Sequence, residues 1–183
     1  MNLLSRTSSL LALLLLIGCA HNPPAGPAAA TPAQPAAAAR APLAPTGAGF
    51  SADMPGEPRE STAANGSHVY AAQVADVAYI ISYADMPPEI QVTPQNTDAL
   101  LDATRESIVH SGRAKVVEEK PFTVDGQPGR ELQLVTKEGY RMRLRLAFLG
   151  ARLYQVGVVT PAENATAPEI EKFLASFHFT ARK

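Results

Sequence analysis

Apolar and polar positions divide the 183-residue chain into three regimes. Leu10 to Ile17 is almost wholly apolar. Ala20 to Ala48 is dominated by Ala and Pro and has no aliphatic periodicity. From Gly49 onward, alternation and turn residues take over. In this last regime a two-residue period predicts strands, and a three-to-four-residue period predicts helices. Phe50 to Met54 reads as a short strand ended by Pro55-Gly56. Ser67 to Val74 and Val77 to Ala84 read as a hairpin. Tyr79, Ile81 and Tyr83 share one face of its second strand, which Asp85-Met86-Pro87-Pro88 stops. Thr93-Pro94 predicts a helix start, with Thr93 as N-cap and Pro94 at the first helical position. Leu100, Leu101, Thr104 and Ile108 form its apolar stripe, and Gly112 ends it.

Lys115 to Val124 is the next expected strand, and Asp125-Gly126-Gln127-Pro128-Gly129 reads as a turn. Arg130 to Thr136, Tyr140 to Leu149 and Leu153 to Thr160 predict a meander. Lys137-Glu138-Gly139 suits a three-residue loop with Gly139 in the left-handed position. That register sets Leu134 against Met142, Leu132 against Leu144 and Glu131 against Arg145, with apolar pairs on one face and opposite charges on the other. For the next connection, a three-residue loop at Gly150-Ala151-Arg152 would pair Phe148 with Tyr154, Leu146 with Val156 and Leu144 with Val158. That all-apolar arrangement is preferred over a two-residue loop. Thr166-Ala167-Pro168-Glu169 has the form of a capping box, followed by Ile170, Phe173, Leu174 and Phe177 at helical spacing. Phe177-His178-Phe179 adds a last short strand. The fold class is α+β: a mainly antiparallel sheet of about six strands packed against two amphipathic helices, as one domain over residues 49–183.

Composition changes this picture little. A net charge of −1 provides no global field toward nucleic acid, and 6% aromatic content is lean for stacking bases. The single cysteine, Cys19, precludes an intrachain disulfide. The apolar run behind Arg6 is too short to span a bilayer and reads as an export signal. Leu16-Ile17-Gly18-Cys19 at its end resembles the lipobox of bacterial lipoproteins. The resemblance implies a signal peptide over residues 1–18, cleavage between Gly18 and Cys19, and acyl chains on Cys19. Several chains on one residue hold stably where one holds marginally. Ala20 follows the cysteine in place of the Asp that retains such proteins in the inner membrane. This implies lipid anchoring at the outer membrane, facing the periplasm.

Residues 19–48 then form the lipidated cysteine and an Ala/Pro-rich disordered tether, because prolines at 23, 24, 27, 32, 35, 42 and 45 interrupt any helix. At ~3.1 Å per residue the tether would reach roughly 90 Å when fully extended. It reads either as a spacer or as a linker under no length constraint.

Several stretches of the domain recur together in small bacterial proteins. They are Phe50-x-x-x-Met54-Pro55, Tyr83-x-Asp85-x-Pro87, Asp125-Gly126-x-Pro128-Gly129-Arg130-Glu131, Arg152-Leu153-Tyr154-x-Val156 and Phe173-x-x-Ser176-Phe177. Over residues ~49 to 180 the chain resembles the PsbP-like family (also DcrB-like, or Mog/PsbP fold). The resemblance implies an antiparallel sheet with packed helices, and binding or assembly roles without a common enzymatic activity. No set of functional residues carries over, since the matching positions read as structural: Gly129 for a turn, Tyr154 and Phe177 for the core.

Candidate chemistry is sparse. Arg141, Arg143 and Arg145 alternate on one strand and therefore share a face, with Glu131 opposite. They form either a solvated strand face or a site for an anionic ligand or partner. His21, His68, His110 and His178 lack metal spacing, and no nucleophile elbow or phosphate loop occurs. No cofactor, metal or nucleic acid is expected. The sequence therefore predicts a non-catalytic envelope lipoprotein whose domain binds a protein partner or assembles a complex. Alternatives are periplasmic binding of an anionic ligand on the arginine strand and, after it, a small hydrolase.

Overall fold

The computed structural model describes residues 42–112 and 114–181. The expected lipobox, with the cleavage expected between Gly18 and Cys19, lies outside them. Among the described residues, nine strands and two α-helices follow in chain order: β1 (Phe50–Ser51), β2 (Arg59–Thr62), β3 (His68–Val74), β4 (Val77–Asp85), α1 (Thr97–Gly112), β5 (Ala114–Val124), β6 (Gln127–Thr136), β7 (Arg141–Leu149), β8 (Arg152–Thr160), α2 (Pro168–Ala175) and β9 (His178–Phe179). A short 3-10 turn, Ala162–Asn164, precedes α2. The large sheet has seven antiparallel strands in the order β2-β3-β4-β8-β7-β6-β5, and β1 and β9 pair separately. No helix among the described residues is long and apolar enough to cross a membrane.

The two helices cover opposite faces of the sheet. Leu101 of α1 packs with Leu132, Leu134, Leu144, Leu146, Phe148 and Leu153 on one face. Ile170, Phe173 and Leu174 of α2 pack with Tyr79, Ile81, Tyr154, Val156 and Val158 on the other, where Phe50 and Phe177 complete an aromatic cluster. Alternate side chains of the central strands are thus buried on both sides. Tyr154 and Phe177 occupy core positions, as expected.

The registers at β6–β7 are those the alternation predicts: Leu134 faces Met142, Leu132 faces Leu144 and Glu131 faces Arg145. The β7–β8 register is not. Phe148 faces Leu153, Leu146 faces Gln155 and Arg145 faces Val156, which is the two-residue loop. Gly150, at φ +61°, occupies the first central position of that turn, where a mirror-image hairpin turn needs positive φ.

Other boundaries shift for local reasons. Helix α1 begins at Thr97 and not at Thr93, because Asn96 Oδ1 accepts the Thr93 amide and the Thr93 carbonyl accepts both the amide and hydroxyl of Thr97. The capping box at Thr166 does not form, and Ala167 precedes α2 without a side-chain cap. The long turn expected at 125–129 is only Asp125-Gly126, both at positive φ, and Gln127, Pro128 and Gly129 already belong to β6.

The packed structure also begins before Gly49. Leu43 bridges Ala52 in both directions, and Ala48 is fully buried. Arg152 fastens this entry. It forms a bidentate pair with Asp85, donates to the carbonyls of Gly47 and Ala48, and lies 4.4 Å over the Tyr83 ring. The Tyr154 hydroxyl donates to the same Ala48 carbonyl.

Candidate functional site

The arginine strand is where the sequence places candidate chemistry, and α2 decides what it becomes. Arg141, Arg143 and Arg145 do share a face of β7, the face that α2 covers. Glu131 of β6 is 2% exposed among them. Its carboxylate accepts from Arg145 Nε at 2.6 Å and Arg143 Nη2 at 3.0 Å, and pairs with Lys120 Nζ at 3.0 Å. Arg143 Nη1 also pairs with Glu171 of α2, and Arg145 Nη1 donates to the Leu174 carbonyl at 2.7 Å. The Arg145 guanidinium lies 4.5 Å from the centre of the Phe122 ring. The cluster therefore ties β5, β6, β7 and α2 together. Burial opposes ionisation of Glu131, but hydrogen bonds from Arg145, Lys120 and Arg143 outweigh it and hold the carboxyl at about 2.

The three arginines are thus unequal. Arg143 and Arg145 are largely withdrawn from solvent, with 15% of each side chain exposed. Arg141 is exposed at the start of the strand, opposite Thr160, and carries no ion pair among the described residues. Two polar atoms on this face are buried without a hydrogen-bond partner, Arg143 Nε and Thr160 Oγ1.

Across the sheet a second ionic network fixes α1. Arg130 pairs with Asp98 and Asp102 of α1 and with Glu119 of β5, and Arg105 of α1 reaches the same Glu119 at 2.9 Å. At the far corner, Asp125 accepts the Phe179 amide at 2.7 Å and pairs with His178, which holds its carboxyl below the ordinary range. Among the described residues no three His, Cys, Asp or Glu side chains gather as a metal site.

A groove at the other end of the sheet has no counterpart in the sequence pattern. It has a volume of about 660 Å³ and lies between residues 42–45, which enter the fold, and β2. Leu43, Met54 and Tyr70 supply apolar wall, and Glu57 and Glu60 supply charge. The Tyr70 hydroxyl donates to Glu60 Oε1 at 2.9 Å. Burial and this bond push the phenol above its ordinary range. The groove's lining runs from Pro42 to Tyr70 along the chain, and only the β2–β3 pairing brings Glu60 beside Tyr70.

No protein-family model matches the chain, and no curated protein matches it in sequence. Solved structures do match in fold. The cyanobacterial PsbP (CyanoP) of Synechocystis sp. PCC 6803 superposes with a TM-score of 0.58 at 11% identity, covering 82% of this chain and 98% of its own. The Ran-binding protein Mog1p of Saccharomyces cerevisiae gives 0.42 at 11% identity, covering 76% of this chain and 94% of its own. The fold is PsbP-like.

Proposed function

We propose that this chain is a non-catalytic lipoprotein of the bacterial envelope, anchored through Cys19, whose PsbP-like domain binds a protein partner. The observation that carries the reading is the internal use of its ionisable groups. Glu131, the one deeply buried carboxylate among the described residues, is held near 2 by three cations, so it stays ionised near neutrality and is poorly matched to general acid–base work there. The guanidiniums around it are bound to it, to Glu171 and to a helix carbonyl. What the domain presents outward is contact surface: the groove beside β2 and the exposed side chains of Ile90, Val117 and Tyr140. The Leu16-Ile17-Gly18-Cys19 pattern supports the anchor, and Ala20 after it supports the outer membrane. A Cys19→Ala variant is expected to lose incorporation of labelled palmitate and to accumulate as uncleaved precursor. Undiminished labelling would remove the anchor from this reading.

A second reading, binding of an anionic ligand on the arginine strand, is favoured by one observation. Arg143 Nε and Thr160 Oγ1 are buried without partners, beside exposed Arg141. Inorganic phosphate is the probe. Calorimetric titration should give saturable binding that weakens at least tenfold in Arg141→Gln. Equal heats in both proteins would dispose of the ligand site.

A further inference from the structure

We propose that the groove between residues 42–45 and β2 receives an extended, basic segment of the protein partner, added as a strand to the open edge of β2. The inference rests on the partner-binding reading above and identifies the surface and the chemistry of the partner.

The two ends of the seven-stranded sheet differ. At one end β5 is blunted by three devices: a bulge between Val116 and Glu118, a proline at 121 that cannot donate, and a run of charge at Glu118, Glu119 and Lys120. At the other end β2 pairs only with β3, is exposed at all four residues, and contains neither proline nor bulge. Its outward backbone groups are therefore available to an added strand.

Alternation then decides what an added strand meets. Glu60 faces the side of Tyr70, and Thr62 that of His68, while Arg59 and Ser61 point to the opposite face. The groove lies on the Glu60 side. Its charged lining is Glu57 and Glu60, with no lysine or arginine. Glu57 and Glu60 Oε2 make no hydrogen bond among the described residues, and 60% of the Glu60 side chain is exposed. The wall beside the carboxylates includes the apolar surfaces of Leu43, Met54 and Tyr70. A strand on β2 would place every second side chain here. The complementary strand carries Lys or Arg against Glu57 and Glu60, and aliphatic groups against the wall.

The test uses the full-length protein in lipid nanodiscs and fluorescein-labelled seven-residue peptides of alternating Val and Lys. Saturable anisotropy is expected with the Val-Lys peptide and not with its Val-Glu counterpart. A central proline in the basic peptide should abolish binding, because it removes a ladder donor at unchanged charge. Glu57→Gln/Glu60→Gln should weaken binding at least tenfold at an unchanged melting temperature, since the amide oxygen then at position 60 still accepts from Tyr70. Equal binding of acidic and basic peptides, undiminished binding by the double variant, or full affinity of the proline peptide would each overturn the proposal. Photocrosslinkers at Glu57 and at Tyr140 in intact cells separate this proposal from its premise. A protein captured from Tyr140 alone, or a second copy of this chain captured from Glu57, overturns the groove assignment and leaves partner binding standing. Capture from neither position overturns both.

Discussion

Replacing Glu131 with alanine is expected to destabilise the domain by about 3–5 kcal/mol, the usual range for removing one partner of a buried ion pair. The magnitude comes from what remains. Arg143 and Arg145 stay 15% exposed, and only Arg143 keeps a carboxylate, that of Glu171. Arg145 keeps the Leu174 carbonyl and the Phe122 ring, neither of which carries a compensating charge. Lys120 is half exposed and recovers its hydration, so it contributes little to the loss. Glu131→Ala/Arg145→Met should therefore be more stable than Glu131→Ala alone, since the second change removes the orphaned charge. Urea unfolding of both variants measures this, and a further loss in the double variant would contradict it.

The same carboxylate sets a pH dependence whose sign is fixed. The folded value, about 2, lies below the ordinary 4.5, so ionised Glu131 favours the folded state. Its contribution is fully present above pH 4.5 and is lost as the pH falls toward 2. The size is about 3 kcal/mol at ~1.4 kcal/mol per unit. Glu131→Gln should lower stability at pH 7 and flatten the decline between about pH 5 and 2 relative to the native protein. Parallel curves would show that the carboxyl is not held low.

How much of this was legible in the sequence depends on how local the determinant is. Glu131 against Arg145 could be read because Lys137-Glu138-Gly139 fixes the loop length and because charge alternates with Leu132, Leu134, Met142 and Leu144. The next register could not. Leu144 and Leu146 face α1 while Val156 and Val158 face α2, so both faces are apolar and pairing like with like selects the wrong parity. The arginines' shared face followed from alternation. Their fate depended on α2, which begins more than twenty residues later. Arg152 and Asp85 each stand in a recurring stretch, but their pairing could not be read, since the partners Asp85 and Gly47 lie 67 and 105 residues from Arg152. The groove is of the same kind, because entry segment, loop and strand meet only after folding.

Gly129→Ala is expected to be more damaging than alanine at Gly157 or Gly139, with a loss of about 3 kcal/mol or more. The reason is not the turn that its Asp-Gly-x-Pro-Gly context suggests. Gly129 lies inside β6, opposite Ala147 on β7 and Phe122 on β5, and its φ is not in the left-handed region. A Cβ there would lie 2.3 Å from the Leu146 carbonyl oxygen and 3.1 Å from Ala147 Cβ. The first is backbone of a central strand and cannot turn aside, so β6 and β7 would have to separate. Gly157 meets the tip of Leu144 at 2.8 Å, and the Arg143 carbonyl only at 3.2 Å. A rotamer change relieves part of that clash, and Gly157→Ala should cost about 1–2 kcal/mol. Gly139, at φ +89°, has nothing within 4 Å, so alanine there meets backbone strain alone, about 1 kcal/mol. The expected order of loss in urea midpoints is Gly129, Gly157, Gly139. If Gly139→Ala proved the worst, loop geometry and not strand approach would limit this sheet. The order also matters for the ionic cluster, since Glu131 is two residues along β6 from Gly129. Forcing the strands apart at Gly129 would pull the Glu131 carboxylate from Arg143 and Arg145, so Gly129→Ala should flatten the acid limb as Glu131→Gln does.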